Sequence, residues 1–199
     1  MEVAREQQQY GFFLAGLNNK NTSNLAEHHY LVTMMGWILC EYINSDESLI
    51  NTDAVIRMCL IHDLGELFGG DVSAPLSQRY PDLKTHARAF ETANLDMITS
   101  FLPPQIQLRL KMFHANAGLK DTDEAIVSKF VDLLEMHYFL EHRSIVSPQK
   151  DAFYAKYIHP LLQEIIDVRI REKLETFLGD VDRYINNKGF QAGHWVTEE

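Results

Sequence analysis

Apolar residues recur at helical spacing along nearly the whole chain, and no run alternates with the period of two that marks a half-buried strand. The pattern predicts a short helix over residues 3–17, ending near Gly16, followed by a polar, turn-like NNKNTSN at 18–24. Ser23 or Asn24 can cap the next helix, from about Leu25 to Ile43, with Leu31, Met34, Met35, Ile38 and Leu39 on one side. NSDES breaks it, and a second long helix is expected from about Thr52 to Phe68, stopped by Gly69 and Gly70. A loop with Pro75 and Pro81 covers 71–83, and a helix follows from about Leu83 to Phe101. Pro103 and Pro104 open a short helix to about His114. ANAGLKDTD reads as a loop and DEAIVSKFVDLLEMHYFLEHR as a strong amphipathic helix. Pro148 and Pro160 punctuate a C-terminal third that stays helical to about Asn186, with helices expected over 148–187 and an irregular tail. Trp37, Phe68, Phe90 and Phe130 fall in helical stripes and are expected in the core. There is no repeat, low-complexity segment or linker, so the reading is one all-α domain over 1–199.

Composition narrows the function. The chain has 199 residues, 46% hydrophobic and 23% charged, with a formal net charge of -10. An acidic surface repels a polyphosphate backbone, so long nucleic acid is disfavoured. A small anion remains open, because a bound metal ion supplies local positive charge. Cys40 and Cys59 sit in apolar runs and read as reduced core thiols. The N-terminus lacks a basic-then-apolar leader, and no run approaches the ~18 apolar residues of a membrane span. The expectation is a cytoplasmic protein with no membrane association.

The chemistry concentrates in RMCLIHDLGELFGGDV, residues 57–72. His62 and Asp63 are neighbours about 100° apart on a helix, so both can face one object. Glu66 follows one turn later, and Asp71 lies just past the glycines. Acids and an imidazole crowded together are costly unless paired, and a divalent cation resolves the conflict. Imidazole and carboxylate donors suit zinc, manganese, iron, cobalt or nickel. Further ligands must come from elsewhere: His28 or His29 near a helix start, and Asp132 in an otherwise apolar stripe. Lys84, Arg88 and Lys129 are candidate phosphate binders, Lys129 one helical turn from Asp132. His114 is a candidate ligand for a second ion.

AEHHYLVTMM, CLIHDLGELFGGDV and DEAIVSKFVDLLEM together resemble the blocks of the HD-domain phosphohydrolase superfamily, whose pattern is H…HD…D on a helical bundle. They are most similar to its 5'-deoxynucleotidase (YfbR-like) group, over about residues 25–142. The resemblance implies a single HD-domain bundle and one divalent ion (manganese, cobalt, zinc, iron or magnesium) held by His28, His62, Asp63 and Asp132. His28 matches better than His29 because it directly follows Glu27. By the same resemblance Glu66 is the general base or water-positioning residue, and Asp71 holds the sugar or assists proton transfer. It implies a nucleotide substrate and a homodimer. The stretch FFLAGLNNKNTSNLAEHH departs from the group: it lacks the upstream Arg and Trp of an RTGW-like segment, leaving Lys20 as the nearby cation for substrate. Two reactions stay open. One releases phosphate from a (deoxy)nucleoside 5'-monophosphate, most simply a deoxynucleotide. The other removes triphosphate from a deoxynucleoside triphosphate, as phage dATPase-like HD proteins do. A non-catalytic nucleotide-binding protein is the third possibility.

Overall fold

The computed structural model describes residues 2–14, 17, 18, 21–69, 72, 76, 79–143 and 150–186. Lys20 and Asp71 lie outside them. The six longer helices are α1 (Leu25–Ile43), α2 (Thr52–Ile61), α3 (Leu83–Thr99), α4 (Pro104–Leu119), α5 (Asp123–His142) and α6 (Val168–Asn186). Before α6 the chain winds through a short helix at Lys150–Phe153, a π turn at Tyr154–Ile158 and another short helix at His159–Gln163. The fold is all-α; among the described residues the strand-like pairing is a single isolated bridge, Gln8 with Asn24.

Each of the three central helices has a polar side chain at its start. Asn24 caps α1 in a reciprocal box: its side chain accepts from the Glu27 N–H at 3.0 Å, and Glu27 accepts from the Asn24 N–H at 3.3 Å. Asn51 caps α2 by accepting from the Ala54 N–H, and Thr122 caps α5 by accepting from the Ala125 N–H. These caps fix where each helix begins, and so which residues face inward. The main core joins Val32, Leu39 and Ile43 of α1, Val55 and Cys59 of α2, and Val127, Phe130, Val131 and Leu134 of α5 to the apolar side of the C-terminal helices. Asp123, the first residue of α5, accepts from the backbone N–H groups of Ile166 and Asp167, tying the start of α6 to α5.

The observed elements differ from the periodicity in four places. Residues 2–14 make a 3-10 turn at Glu2–Arg5 and a short helix at Gly11–Leu14, not one helix to Gly16. The Leu25 N–H donates to Gln7 and the Gln9 N–H to Ser23, so this segment pairs with the start of α1 and cannot keep helical bonding. The helix expected to reach Phe68 stops at Ile61 and tightens into a 3-10 turn at Leu64–Glu66; Phe68 and Gly69 then take positive φ, 71° and 91°. In the other direction, α4 runs on to Leu119, through residues read as loop, and ends with Lys120 in the left-handed region.

The fourth difference is which side of α1 is inside. Leu39 is buried, but Leu31 and Ile38 are exposed. The helix contact is chosen by small residues: a Cβ on Gly36 would stand 3.1 Å from Cys59 Sγ, so α1 and α2 meet along Gly36, Cys40 and Cys59. Both cysteines are free and buried, as expected of core thiols. Of the four aromatics expected inside, only Phe130 is buried. Trp37 lies on the outer side of α1, its indole N–H donating to Glu41. Phe68 is carried outward by the chain reversal, and Phe90 sits on the solvent side of the peripheral α3.

Candidate metal centre

Three helices deliver four donor atoms to one point. α1 supplies His28; the end of α2 supplies His62 and Asp63; α5 supplies Asp132. One donor atom from each lies within 4.8 Å of all the others. His28 Nε2 is 3.2 Å from His62 Nε2, 3.2 Å from Asp132 Oδ1 and 3.6 Å from Asp63 Oδ2. His62 Nε2 is 3.2 Å from Asp63 Oδ2 and 3.6 Å from Asp132 Oδ1. Donors that share one ion at about 2.1 Å stand roughly 3–3.5 Å apart, so the spacing fits a common centre.

The tautomers agree. His62 Nδ1 is 2.9 Å from the Cys59 carbonyl, which can only accept, so the proton sits on Nδ1 and the Nε2 lone pair faces the cluster. His28 Nδ1 is 2.8 Å from Glu135 Oε2 and donates to that carboxylate, with the same result. Two imidazole lone pairs then point at each other across 3.2 Å between two carboxylates, an arrangement that calls for a cation.

Without a metal, protons take that role. Burial acts to lower the His62 imidazole, and Asp63 and Asp132 outweigh it, raising the group to about 10. Burial opposes the His28 charge too, and Asp132, Asp63 and Glu135 raise it well above the usual histidine value. Burial works to raise both aspartates. His62 and His28 hold Asp63 well below the usual carboxylate range, and Lys129 with the two histidines does the same for Asp132. Lys129 Nζ donates to Asp132 Oδ2 at 2.5 Å, leaving Oδ1 for the histidines.

Of the other residues singled out in the sequence, His29 is buried beside His62, and burial pushes it down to about 3, so it stays neutral. Glu66 sits in the 3-10 turn and is half-buried. It does not line the cavity of about 200 Å3 that opens from the donor cluster between α4 and α5, bordered by His62, Asp63, Asp132, Lys129, His114 and Glu91. It lines a neighbouring one of about 180 Å3 with Lys84, Arg88 and Glu91, and Glu91 borders both. Glu66 is still close enough to raise the Lys129 ammonium, behind the stronger pull of Asp132 and Asp63.

Two residues escaped sequence reading. Glu135, one turn beyond Asp132 on α5, is buried and orients His28; its signal was a second acid in the same apolar stripe. Asn94 of α3 is buried and donates to the carbonyls of Gly65 (2.9 Å) and Leu67 (2.6 Å), holding the turn that carries Glu66. Nothing in the local pattern marks it.

This arrangement of histidine and aspartate donors on a helical bundle defines a class, and the chain belongs to the HD-domain family, whose model matches residues 15–172. Among particular relatives, it is 24% identical over 156 residues to the 5'-deoxynucleotidase HDDC2 of Homo sapiens, covering 75% of this chain and 72% of that one. It is 22% identical over 114 residues to a 5'-deoxynucleotidase of Pectobacterium atrosepticum, covering 57% of each. In fold it is similar to the PH0347 protein of Pyrococcus horikoshii OT3 (TM-score 0.64, 17% identity, 92% of this chain and 94% of that one). It is also similar to a conserved hypothetical protein of Pyrococcus furiosus (TM-score 0.67, 19% identity, 92% and 95%). Among the described residues no helix is long and apolar enough to cross a membrane.

Proposed function

We propose that the protein is a metal-dependent phosphohydrolase that releases phosphate from a deoxynucleoside 5'-monophosphate. The observation that carries this is the convergence of four nitrogen and oxygen donors, each with its lone pair turned inward, beside an open cavity. His28, His62, Asp63 and Asp132 are the ligands of one divalent ion. When bound, that ion supplies the positive charge that phosphoryl oxygens need and makes water acidic enough to be activated near neutral pH. Lys129, fixed by Asp132 at the cavity wall, adds a cation for the phosphate. Glu66, held by the turn that Asn94 anchors, orients the attacking water, a role that needs placement more than basicity. Asp71 and Lys20 complete the substrate contacts in this reading. The relatives named 5'-deoxynucleotidase support the substrate class.

A second reading, removal of triphosphate from a deoxynucleoside triphosphate, is favoured by one feature. The cavity beside Glu66 carries Lys84 and Arg88, cations that a longer phosphate chain could reach. Product analysis separates the two. With manganese or cobalt present, deoxynucleoside monophosphates are expected to yield nucleoside and inorganic phosphate; intact triphosphate from deoxynucleoside triphosphates would establish the second reading. In the same assay Glu66→Ala is expected to keep bound metal and lose turnover by about 100-fold or more. Metal loss in that variant would make Glu66 a ligand instead.

A further inference from the structure

We propose that Gln7 is a positioning residue for Glu66: its side-chain amide clamps the chain reversal that ends the 3-10 turn, which makes the N-terminal segment part of the site. The inference rests on the reading of Glu66 as the water-orienting group. The reversal needs a clamp. Phe68, two residues after Glu66, holds φ at 71°, a region that is costly for a bulky residue. Its side chain is exposed, so packing gives that backbone little support. Hydrogen bonds on its two flanks supply it. Before Phe68, Asn94 donates to the Leu67 carbonyl at 2.6 Å. After it, the Gly69 N–H donates to Gln7 Oε1 at 3.0 Å, and the same N–H reaches the Glu66 carbonyl at 3.2 Å.

Gln7 is itself buried and firmly held. Its backbone N–H donates to the Val3 carbonyl (3.0 Å), its carbonyl accepts from the Leu25 N–H (2.8 Å), and its Nε2 donates to the Gln8 carbonyl (3.2 Å). The neighbouring glutamines differ: Oε1 of Gln8 and of Gln9 has no partner. Leu25 is the first residue of α1, the helix that carries His28. One residue therefore ties the end of the turn bearing Glu66 to the start of the helix bearing a proposed metal ligand. This link sets the separation between the water-orienting group and the metal centre, on which in-line attack depends. Released from Gln7, Phe68 is free to relax to negative φ, and the Gly69 N–H leaves the Glu66 carbonyl with it.

The test uses Gln7→Met, which keeps the length of the side chain and removes the acceptor, and Gln7→Glu, which keeps the acceptor. Both are made in wild type and in Glu66→Ala, loaded with manganese, checked for metal per chain and assayed on deoxynucleoside monophosphates. Deuterium exchange of the Gly69 amide is followed by NMR in the metal-free proteins. Gln7→Met is expected to lower kcat about 10-fold with KM and metal content unchanged. It is expected to speed Gly69 exchange by about 10-fold. It is expected to take nothing further from the residual rate of Glu66→Ala, because residues that act as one unit are not additive. Gln7→Glu is expected to stay within about 3-fold of wild type in kcat and in exchange. Undiminished kcat in Gln7→Met, the same loss repeated in the Glu66→Ala background, or unchanged Gly69 exchange overturns the assignment. Metal loss in Gln7→Met overturns it in favour of a role through His28. A wild type inactive on every nucleotide overturns the reading of Glu66 and this one with it; the exchange rate, which needs no substrate, tells that outcome from a failure of the clamp alone.

Discussion

Glu135 shows how much of the site depends on a group that donates nothing to the ligand set. Its carboxylate accepts from the His28 Nδ1–H, with 2.8 Å between nitrogen and oxygen, and so turns the Nε2 lone pair toward the cluster. Glu135→Gln keeps the shape but lets the amide donate as well as accept, so the orientation is no longer enforced. Metal affinity is expected to fall about 10–100-fold, the usual cost of losing such a partner, and competition with a metal-binding dye measures it. Asp132 was legible because an acid in an apolar stripe announces a partner, and His62 and Asp63 because they crowd one helix end; His28 was chosen over His29 only through the resemblance, by its place after Glu27. Glu135 broke the same rule one turn beyond Asp132 and was passed over. Asn94 broke no rule at all. A polar residue on a surface helix is ordinary, and its task appears only when α3 is seen beside the Gly65 and Leu67 carbonyls.

At the scale of elements, the critical contact is α3 against the 3-10 turn. A Cβ on Gly65 would stand 2.7 Å from the Glu91 Cβ and 2.9 Å from its backbone oxygen, closer than such atoms approach. Helix backbone cannot swing aside as a side-chain tip can. Gly65→Ala must therefore push α3 from the turn, costing about 1–3 kcal/mol, readable as a lower melting temperature. Because the turn carries Glu66 and Glu91 borders both cavities, turnover is expected to fall with it. The periodicity could not reveal this turn. Leu64 and Leu67 continue the apolar spacing of α2, and both are buried, so the pattern stays helical after the hydrogen bonding has changed. Helix existence and most helix ends were legible because caps and periodicity are local; the end of α2 and the inner face of α1 were not, because they answer to Glu91 meeting Gly65 and Gly36 meeting Cys59.

For the whole molecule, the proposed metal centre would couple metal, protons and stability. In the metal-free protein both histidines are raised, so both carry protons at neutral pH. A metal ligand must be neutral imidazole, so binding at the proposed centre would expel those protons. The sign follows: apparent affinity rises with pH toward about 10, the value for His62, and is lost as pH falls. Because a ligand that binds the folded state raises its stability by mass action, manganese is expected to lift the melting temperature more at about pH 8 than at about pH 6. An equal lift at both would mean the histidines are not the ligands. The link from His28 to Glu135 spans 107 positions, and it sits between the first long helix and the fifth. The proposed cage is complete only once α1, α2 and α5 have met. An ion bound there would come too late to guide the chain into its fold, and its effect would fall on the other direction of time, lengthening the life of the finished molecule.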